Sequence, residues 1–296
     1  MAFFGSPTTR PTPGALRLAE GVLTFDQGYR VMGVLNVTPD SFSDGGEYLA
    51  HEDAIDRGLA MVEAGADIID VGGESTRPGA APVSVDAELS RVVPVIEALS
   101  EQTDAHLSID TTKAMVAEAA LEAGAHIVND ISGLGFDAKM ADVVAQKRAA
   151  LILMHIRGTP RTMQSDIDYD DVVDDILAYF EERIEVAQNA GIDAAQIAID
   201  PGIGFGKTVS QNYRLIRELH RFFDLGRPLL LGTSRKSFIG AVLGKPPAER
   251  VWGTAATVAC GLYAGADIVR VHDVAQMVDV VRVTEALCGH RPETKN

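Results

Sequence analysis

Three polar residues, Asp110, Asn129 and Asp200, each stand at or next to the end of a short apolar segment. Two carboxylates and an amide match the edge of a nitrogen heterocycle, which presents N–H donors and a carbonyl acceptor. Met154 and Phe205 are candidates for the apolar walls of such a pocket. We therefore predict a site for a flat, nitrogen-rich ring, although any one of the three polar residues could instead cap or support its neighbours.

Cations suited to binding an anion stand in two further segments, SRKSF and RVHD. Arg270 and His272 are two positions apart on a predicted strand, so they share a face and can hold one anion together. Arg235 and Lys236 are adjacent in a chain of net charge −16, which favours a local positive mouth for an anionic ligand. The alternatives are a structural histidine and a basic helix start, which the helix dipole disfavours.

Two loops rich in glycine and proline follow the first two predicted strands. Residues 36–46 (NVTPDSFSDGG) form a long loop suited to a lid. Its side chains that offer oxygen ligands to a hard cation are Asn36, Thr38, Asp40, Ser43 and Asp44. Residues 72–79 (GGESTRPG) combine glycines that allow close backbone approach with Arg77, which could recognise an anion. A solvated loop and a rigid turn are the alternatives.

The segment GIGFGKT at 202–208 resembles a phosphate-binding loop of nucleoside triphosphatases. That motif requires a glycine five positions before the glycine of GKT. Pro201 occupies this position, and Gly202 is one residue too close. We therefore reject a nucleoside triphosphatase.

The elements that must position these residues repeat along the chain as alternating strands and helices. The candidate strands are 31–35, 67–71, 106–110, 126–129, 150–154, 197–200, 229–232 and 267–271. Gaps between them have room for a helix, and 274–288 supplies the last one. Eight such units in series predict an α/β fold, a (β/α)8 TIM barrel, over an open doubly wound sheet, which usually has five or six strands.

Polar side chains gather where these strands end. They are Asn36, Asp70, Asp110, Asn129, His155, Asp200, Thr233 and Arg270. In a parallel barrel the carboxyl ends of all strands open onto one face, and barrel active sites are built there. Polar residues can end any strand by default, but a full set with basic and glycine-rich loops attached favours an active site.

Composition limits the partners and the cellular location. The 26 Lys and Arg residues against 42 Asp and Glu residues disfavour binding to nucleic acid or an anionic membrane, because both need a basic surface. No apolar run reaches the roughly 18 residues of a membrane helix. Cys260 and Cys288 form no metal-binding spacing, so we predict buried free thiols and a cytoplasmic protein.

Three regions are predicted along the chain. Residues 1–30 form an N-terminal arm, in which Leu16 to Phe25 can make a hairpin that turns near Gly21. Residues 31–290 form the barrel, and residues 291–296 a flexible C-terminal tail.

Eight segments together resemble one enzyme family, the dihydropteroate synthases, which are pterin-binding TIM barrels. They are MGVLNVTPDSFSDGG, GGESTRPG, SID, VNDISG, MHIRGTPRTMQ, DPGIGFGKT, GTSRKSF and RVHDV. The resemblance covers nearly all of the chain after residue 30. It implies a transferase of folate biosynthesis, a target of sulfonamides and usually a homodimer. Such an enzyme joins 6-hydroxymethyl-7,8-dihydropterin diphosphate to 4-aminobenzoate and releases pyrophosphate.

The resemblance also implies roles for individual residues. The pterin would be held by Asp110, Asn129, Met154, Asp200, Lys236 and Arg270. The diphosphate would be held by Asn36, Arg270 and His272, with Mg²⁺ as the cofactor bound by Asn36. The aminobenzoate site would be shaped by Phe42, Thr76, Arg77, Pro78, Phe205 and Ser237. Asp44 would lie on the closing first loop and join Asn36, Lys236, Arg270 and His272 as the catalytic set.

The implied chemistry is a dissociative displacement. The amine of 4-aminobenzoate is already neutral, so no strong base or covalent residue is required. The electron-rich dihydropterin delocalises a cation at its CH₂ group, and Asp44 is a hypothetical stabiliser of that cation. Two alternatives remain open: a pterin-binding domain that presents methyltetrahydrofolate to a corrinoid protein, and a non-catalytic relative.

Overall fold

The computed structural model describes residues 15–26, 28–38, 46–76, 79–165 and 167–289; within these ranges, residues 46–50 are described by their backbone alone. A two-stranded hairpin precedes the main sheet. β1 (Leu16–Arg17) and β2 (Val22–Leu23) pair antiparallel, and Gly21 turns with a φ of 85°. The hairpin predicted in the N-terminal arm is therefore present.

Eight parallel strands follow and form the barrel. They are β3 (Arg30–Asn36), β4 (Ile68–Gly72), β5 (His106–Asp110), β6 (Ile127–Asp130), β7 (Ala150–Met154), β8 (Ile197–Asp200), β9 (Leu230–Leu231) and β10 (Ile268–Val271). They are hydrogen-bonded in the order β8-β7-β6-β5-β4-β3-β10-β9. A parallel bridge between Ile199 and Leu229 joins the two ends of this order, so the sheet closes. The predicted (β/α)8 barrel is confirmed.

Helices surround the barrel. They are α1 (Gly46–Glu63), α2 (Val85–Gln102), α3 (Ala114–Glu122), α4 (Met140–Lys147), α5 (Val172–Asn189), α6 (Val209–Arg217), α7 (Ser237–Leu243), α8 (Val251–Tyr263) and α9 (Val274–Cys288). Two helices rather than one lie between β9 and β10. Gly244 ends α7 with a φ of 66°, and Pro246 and Pro247 prevent the helix from continuing. In the part of the chain described, no helix is long and apolar enough to cross a membrane.

On β4, β6, β8 and β10 the inward face of the barrel changes from apolar to polar towards the carboxyl end. Side chains two positions apart share a face, and this places Asp70 after Ile68 and Arg270 after Ile268. The apolar positions join one buried cluster with Leu16, Leu23 and Phe25 of the N-terminal segment. The hairpin therefore covers the end of the barrel where the strands begin, and the polar side chains lie at the opposite end.

The two cysteines differ from their prediction as buried thiols. Cys260 is exposed on α8, and Cys288 at the end of α9 is only partly buried. Both helices lie outside the barrel, and helical periodicity turns some of their apolar positions away from the strands.

Candidate active site

Arg270 is the centre of a buried ionic network at the open end of the barrel. Its Nε donates to Asp70 Oδ2 and its Nη2 to Asp110 Oδ2, each at 2.6 Å. Asn129 Nδ2 donates to the same Asp70 oxygen at 3.0 Å. These four residues lie on β10, β4, β5 and β6, so four strands contribute one side chain each. The guanidinium plane is fixed by two carboxylates, while the other Asp70 oxygen finds no partner in the described part of the chain.

The network holds more negative than positive charge. Burial raises the pKa of Asp110 to about 7, against the effect of Arg270, and the Asp70 carboxylate adds to the rise. Although burial opposes its charge, Asp70 and Asp110 raise the pKa of Arg270. Asp70 is a strand-end polar residue to which the sequence analysis assigned no role, and its contact with Arg270 gives it one.

Asp200 and Lys236 lie on the other side of the mouth, and Gly232 leaves the space between them. A Cβ atom on Gly232 would be 3.7 Å from Lys236 Nζ and 3.8 Å from Asp200 Oδ2 and from Arg270 Cβ. Burial lowers the pKa of Lys236 to about 8, and Asp200 opposes this effect. Burial raises the pKa of Asp200, and Lys236 opposes the rise. The structure thus brings the predicted pterin residues to one mouth.

Apolar side chains line part of the same mouth. Met154 is buried with Ile131, Ile156 and Met163, and Phe205 packs against this cluster. Lys236 Nζ lies 4.6 Å from the centroid of the Phe205 ring and donates to the carbonyl of Ile203. Met154 and Phe205 are therefore walls beside the charged groups, as the sequence analysis predicts.

Asn36 ends β3 beside Gly72, which ends β4. A Cβ atom on Gly72 would be 3.7 Å from Asp110 Oδ2 and 3.9 Å from Asn36 Oδ1. The amide oxygen of Asn36 thus stands close to the Asp110 side of the network. Thr76 borders an adjoining cavity of about 310 Å³, which Asp110 and Phe136 also line.

His272 and Lys236 come from neighbouring loops after β10 and β9. His272 Nδ1 is 3.0 Å from Ser234 Oγ, and Ser237 begins α7. Arg235 forms an ion pair with Asp273 rather than adding a second free cation to the mouth, so that part of the positive-mouth prediction is wrong. Six candidate site residues lie outside the described residues: Asp40, Phe42, Ser43, Asp44, Arg77 and Pro78.

Lys207 is a second buried residue that the sequence analysis left without a role. Its Nζ donates to the carbonyls of Gly202 and Phe205 at 2.9 Å each and lies 2.9 Å from His155 Nδ1. Burial holds the pKa values of Lys207 and His155 well below their ordinary ranges. This lysine therefore stabilises the loop that carries Phe205.

Comparison with known proteins identifies the family. Residues 32–272 match the pterin-binding enzyme family. A dihydropteroate synthase of Synechocystis sp. is 52% identical over 273 residues, which cover 91% of this chain and 94% of that protein. The chain belongs to the dihydropteroate synthase family. The family and the enzyme class that the sequence motifs resemble are therefore confirmed.

Solved dihydropteroate synthases share the whole fold. The Yersinia pestis enzyme in a sulfonamide drug complex has a TM-score of 0.88 and 43% identity, over 93% of this chain and 99% of that one. The Xanthomonas albilineans enzyme in complex with 7,8-dihydropteroate has a TM-score of 0.83 and 43% identity, over 92% and 98%. These three relatives are synthases, which favours the synthase prediction over a corrinoid-linked pterin domain or a non-catalytic relative.

Proposed function

We propose that this chain condenses 6-hydroxymethyl-7,8-dihydropterin diphosphate with 4-aminobenzoate to form 7,8-dihydropteroate and pyrophosphate in folate biosynthesis. The observation that carries the proposal is the convergence of Asp110, Asn129, Asp200, Lys236 and Arg270 on one mouth. A family member that binds 7,8-dihydropteroate supports it. The sulfonamide drug complex of another member supports the prediction of a sulfonamide target.

The pterin ring is bound by groups of both polarities. The carboxylates of Asp110 and Asp200 accept hydrogen bonds from ring N–H groups, and the Asn129 amide can donate or accept. Lys236 donates to an acceptor on the ring, and Met154 contacts its face. Arg270 stacks on the ring, and its contacts with Asp70 and Asp110 orient the guanidinium for this role.

The leaving diphosphate is bound by Asn36, Arg270 and His272. The bond between the pterin CH₂ and the diphosphate oxygen breaks, and its electron pair leaves with the diphosphate. The amine nitrogen of 4-aminobenzoate then bonds to the CH₂ cation and releases one proton. These donors stabilise the leaving charge as it develops, which is where preorganised donors accelerate a reaction most.

Mg²⁺ is the proposed cofactor, and the donor set fits it. Mg²⁺ usually takes one or two protein oxygens together with substrate phosphates and water, so an all-protein cage is not required. In the described residues no cluster of three or more His, Cys, Asp or Glu side chains could hold a metal, whereas Asn36 offers a single hard oxygen at the mouth. When bound, the ion neutralises diphosphate charge.

The 4-aminobenzoate site is proposed to lie between the loops that follow the first, second, sixth and seventh barrel strands. Its residues are Phe42, Thr76, Arg77, Pro78, Phe205 and Ser237. Arg77 would bind the carboxylate of 4-aminobenzoate, and the ring would pack against Phe205. Asp44 would stabilise the pterin cation once the first loop closes over the mouth.

The test is direct assay of the purified protein with dihydropterin diphosphate, 4-aminobenzoate and Mg²⁺, detecting dihydropteroate by mass. We expect product that disappears without Mg²⁺ and in Asn36→Ala, and that partly returns in Asn36→Asp, which keeps an oxygen ligand. Tight pterin binding without product would overturn the synthase proposal in favour of a pterin-binding relative.

A homodimer in the cytoplasm completes the proposal. Exposed apolar side chains stand on consecutive outer helices: Val242 and Leu243 on α7, Trp252 on α8, and Val283 and Leu287 on α9. Exposed apolar surface of this kind is typical of subunit contacts. The acidic net charge supports small-molecule substrates and no nucleic-acid or membrane partner.

A further inference from the structure

The loops after β9 and β10 are joined residue by residue. Ser234 Oγ accepts a hydrogen bond from the backbone N–H of His272 at 3.1 Å and also contacts the ring of His272. At the next position, Arg235 Nε donates to Asp273 Oδ2 at 2.9 Å, and its Nη2 donates to the other oxygen of the same carboxylate. The two loops therefore pair in the same order along the chain. Because the Arg235–Asp273 ion pair has two hydrogen bonds, it resists rotation of one loop against the other more than a single contact would.

The backbone of Arg235 is held in an unusual conformation from the outer side. Its φ is 59°, in the left-handed region that non-glycine residues rarely adopt. Its N–H donates to Thr254 Oγ1 at 3.1 Å, and its carbonyl accepts from Arg250 Nη1 at 2.8 Å. Both backbone groups are thus occupied by α8 and the residue before it. This conformation directs the chain into Lys236, the residue that precedes α7.

We propose that Arg235 and Asp273 are positioning residues that fix the spacing between Lys236 and His272. Lys236 directly follows Arg235, and His272 directly precedes Asp273. The inference rests on the proposed function, in which Lys236 binds the pterin and His272 binds the diphosphate. The ion pair holds the pterin and diphosphate subsites at the distance that separates the two ends of dihydropterin diphosphate. Neither Arg235 nor Asp273 is proposed to contact the substrate.

The physical reason is the advantage of a connected ligand. When one half of such a ligand is bound, the other half is present at a high effective concentration only if its subsite stands at the right distance. A small misplacement removes this advantage while each half can still bind alone. Loss of the ion pair should therefore weaken binding of the connected substrate much more than binding of either half.

The test compares three probes by calorimetry on the full chain: dihydropterin diphosphate, 6-hydroxymethyl-7,8-dihydropterin, and inorganic pyrophosphate with Mg²⁺. The variants are Asp273→Asn and Arg235→Asn, because asparagine tolerates the left-handed conformation. We expect each variant to lose about tenfold or more in affinity for the connected substrate and less than about twofold for either half. The double variant should lose no more than the single ones, because all three lack the same pair.

A matched control is Glu122→Gln. It weakens the 2.6 Å ion pair with Lys147 at the C-terminal ends of α3 and α4, which lie at the end of the barrel opposite the mouth, and it should leave all three affinities unchanged. Unchanged binding of the connected substrate in both variants would overturn the inference, as would equal losses for all three probes. If the unaltered protein itself binds dihydropterin diphosphate no more tightly than the pterin alone, the proposed function fails instead.

Discussion

Asp110 and Asp70 share the guanidinium of Arg270, and the burial of Asp110 has a consequence for stability. Burial raises the pKa of Asp110 from its ordinary value of 3.8 to about 7 in the folded protein. Between these values the folded state holds a proton that the unfolded state lacks. The contribution of Asp110 to the free energy of unfolding is therefore fully present below about pH 4 and falls as pH rises towards 7.

Asp110→Asn should remove this contribution, so the free energy of unfolding should fall less between pH 4 and pH 7 than it does in the unaltered protein. Urea unfolding at several pH values measures the two slopes. Identical slopes would show that Asp110 is already ionised across this range in the folded state.

Lys207 stabilises the loop after β8 through its buried amino group. Replacing it with methionine leaves the carbonyls of Gly202 and Phe205 without their donor. Lys207→Met should cost about 2–4 kcal/mol of unfolding free energy, because unpaired buried acceptors are expensive. Lys147→Met, which removes a surface pair with Glu122, should cost less than about 1 kcal/mol. Chemical denaturation of both variants tests the difference, and equal costs would contradict it.

Sequence reasoning found most polar residues of the mouth because strand ends can be located from apolar runs. It did not assign Asp70, whose partner Arg270 is 200 positions away and is brought close only by closure of the barrel. It also missed Lys207, since nothing in its local sequence shows that a charged side chain is buried. The pairing of Arg235 with Asp273 likewise depends on two loops that meet only in the folded chain.

The hairpin of β1 and β2 covers the end of the barrel where the strands begin. Leu16 is fully buried against the first apolar positions of the strands, far from the polar mouth. Leu16→Ala should therefore lower the unfolding free energy by about 2–5 kcal/mol and leave kcat nearly unchanged. Val22→Ala is the control, since 53% of Val22 is exposed. A large fall in kcat for the Leu16 variant at a temperature where it stays folded would contradict this separation.

The periodic pattern predicted the barrel strands closely because parallel strands buried on both faces are continuous apolar runs. The exception is β9, which spans only Leu230–Leu231 of the predicted 229–232. Gly232 and Thr233 leave the sheet there to form the Lys236 loop. The division between α7 and α8 also went unpredicted, since a gap long enough for one helix does not show where a helix ends.

Trp252 is the strongest candidate for a subunit contact. It stands on α8 with 78% of its surface exposed. If the proposed homodimer forms through this face, Trp252→Glu should increase the dimer dissociation constant at least tenfold, because a buried charge would replace an aromatic anchor. Met115→Glu, at an exposed apolar position on α3, should not. Analytical sedimentation of both variants measures the dimer dissociation constant, and an unchanged value for Trp252→Glu would exclude this face as the subunit contact.

The N-terminal end of α8 contacts the loop that carries Lys236 on one side and presents an exposed tryptophan on the other. Arg250 and Thr254 bind the backbone of Arg235, and Trp252 between them faces outward. Subunit association through this helix and substrate binding at the mouth would then be thermodynamically linked, and linkage is reciprocal. Whatever factor association adds to the affinity for dihydropterin diphosphate, the substrate must add to the affinity between subunits. The affinity for the substrate would accordingly depend on the protein's own concentration in the range of the dimer dissociation constant.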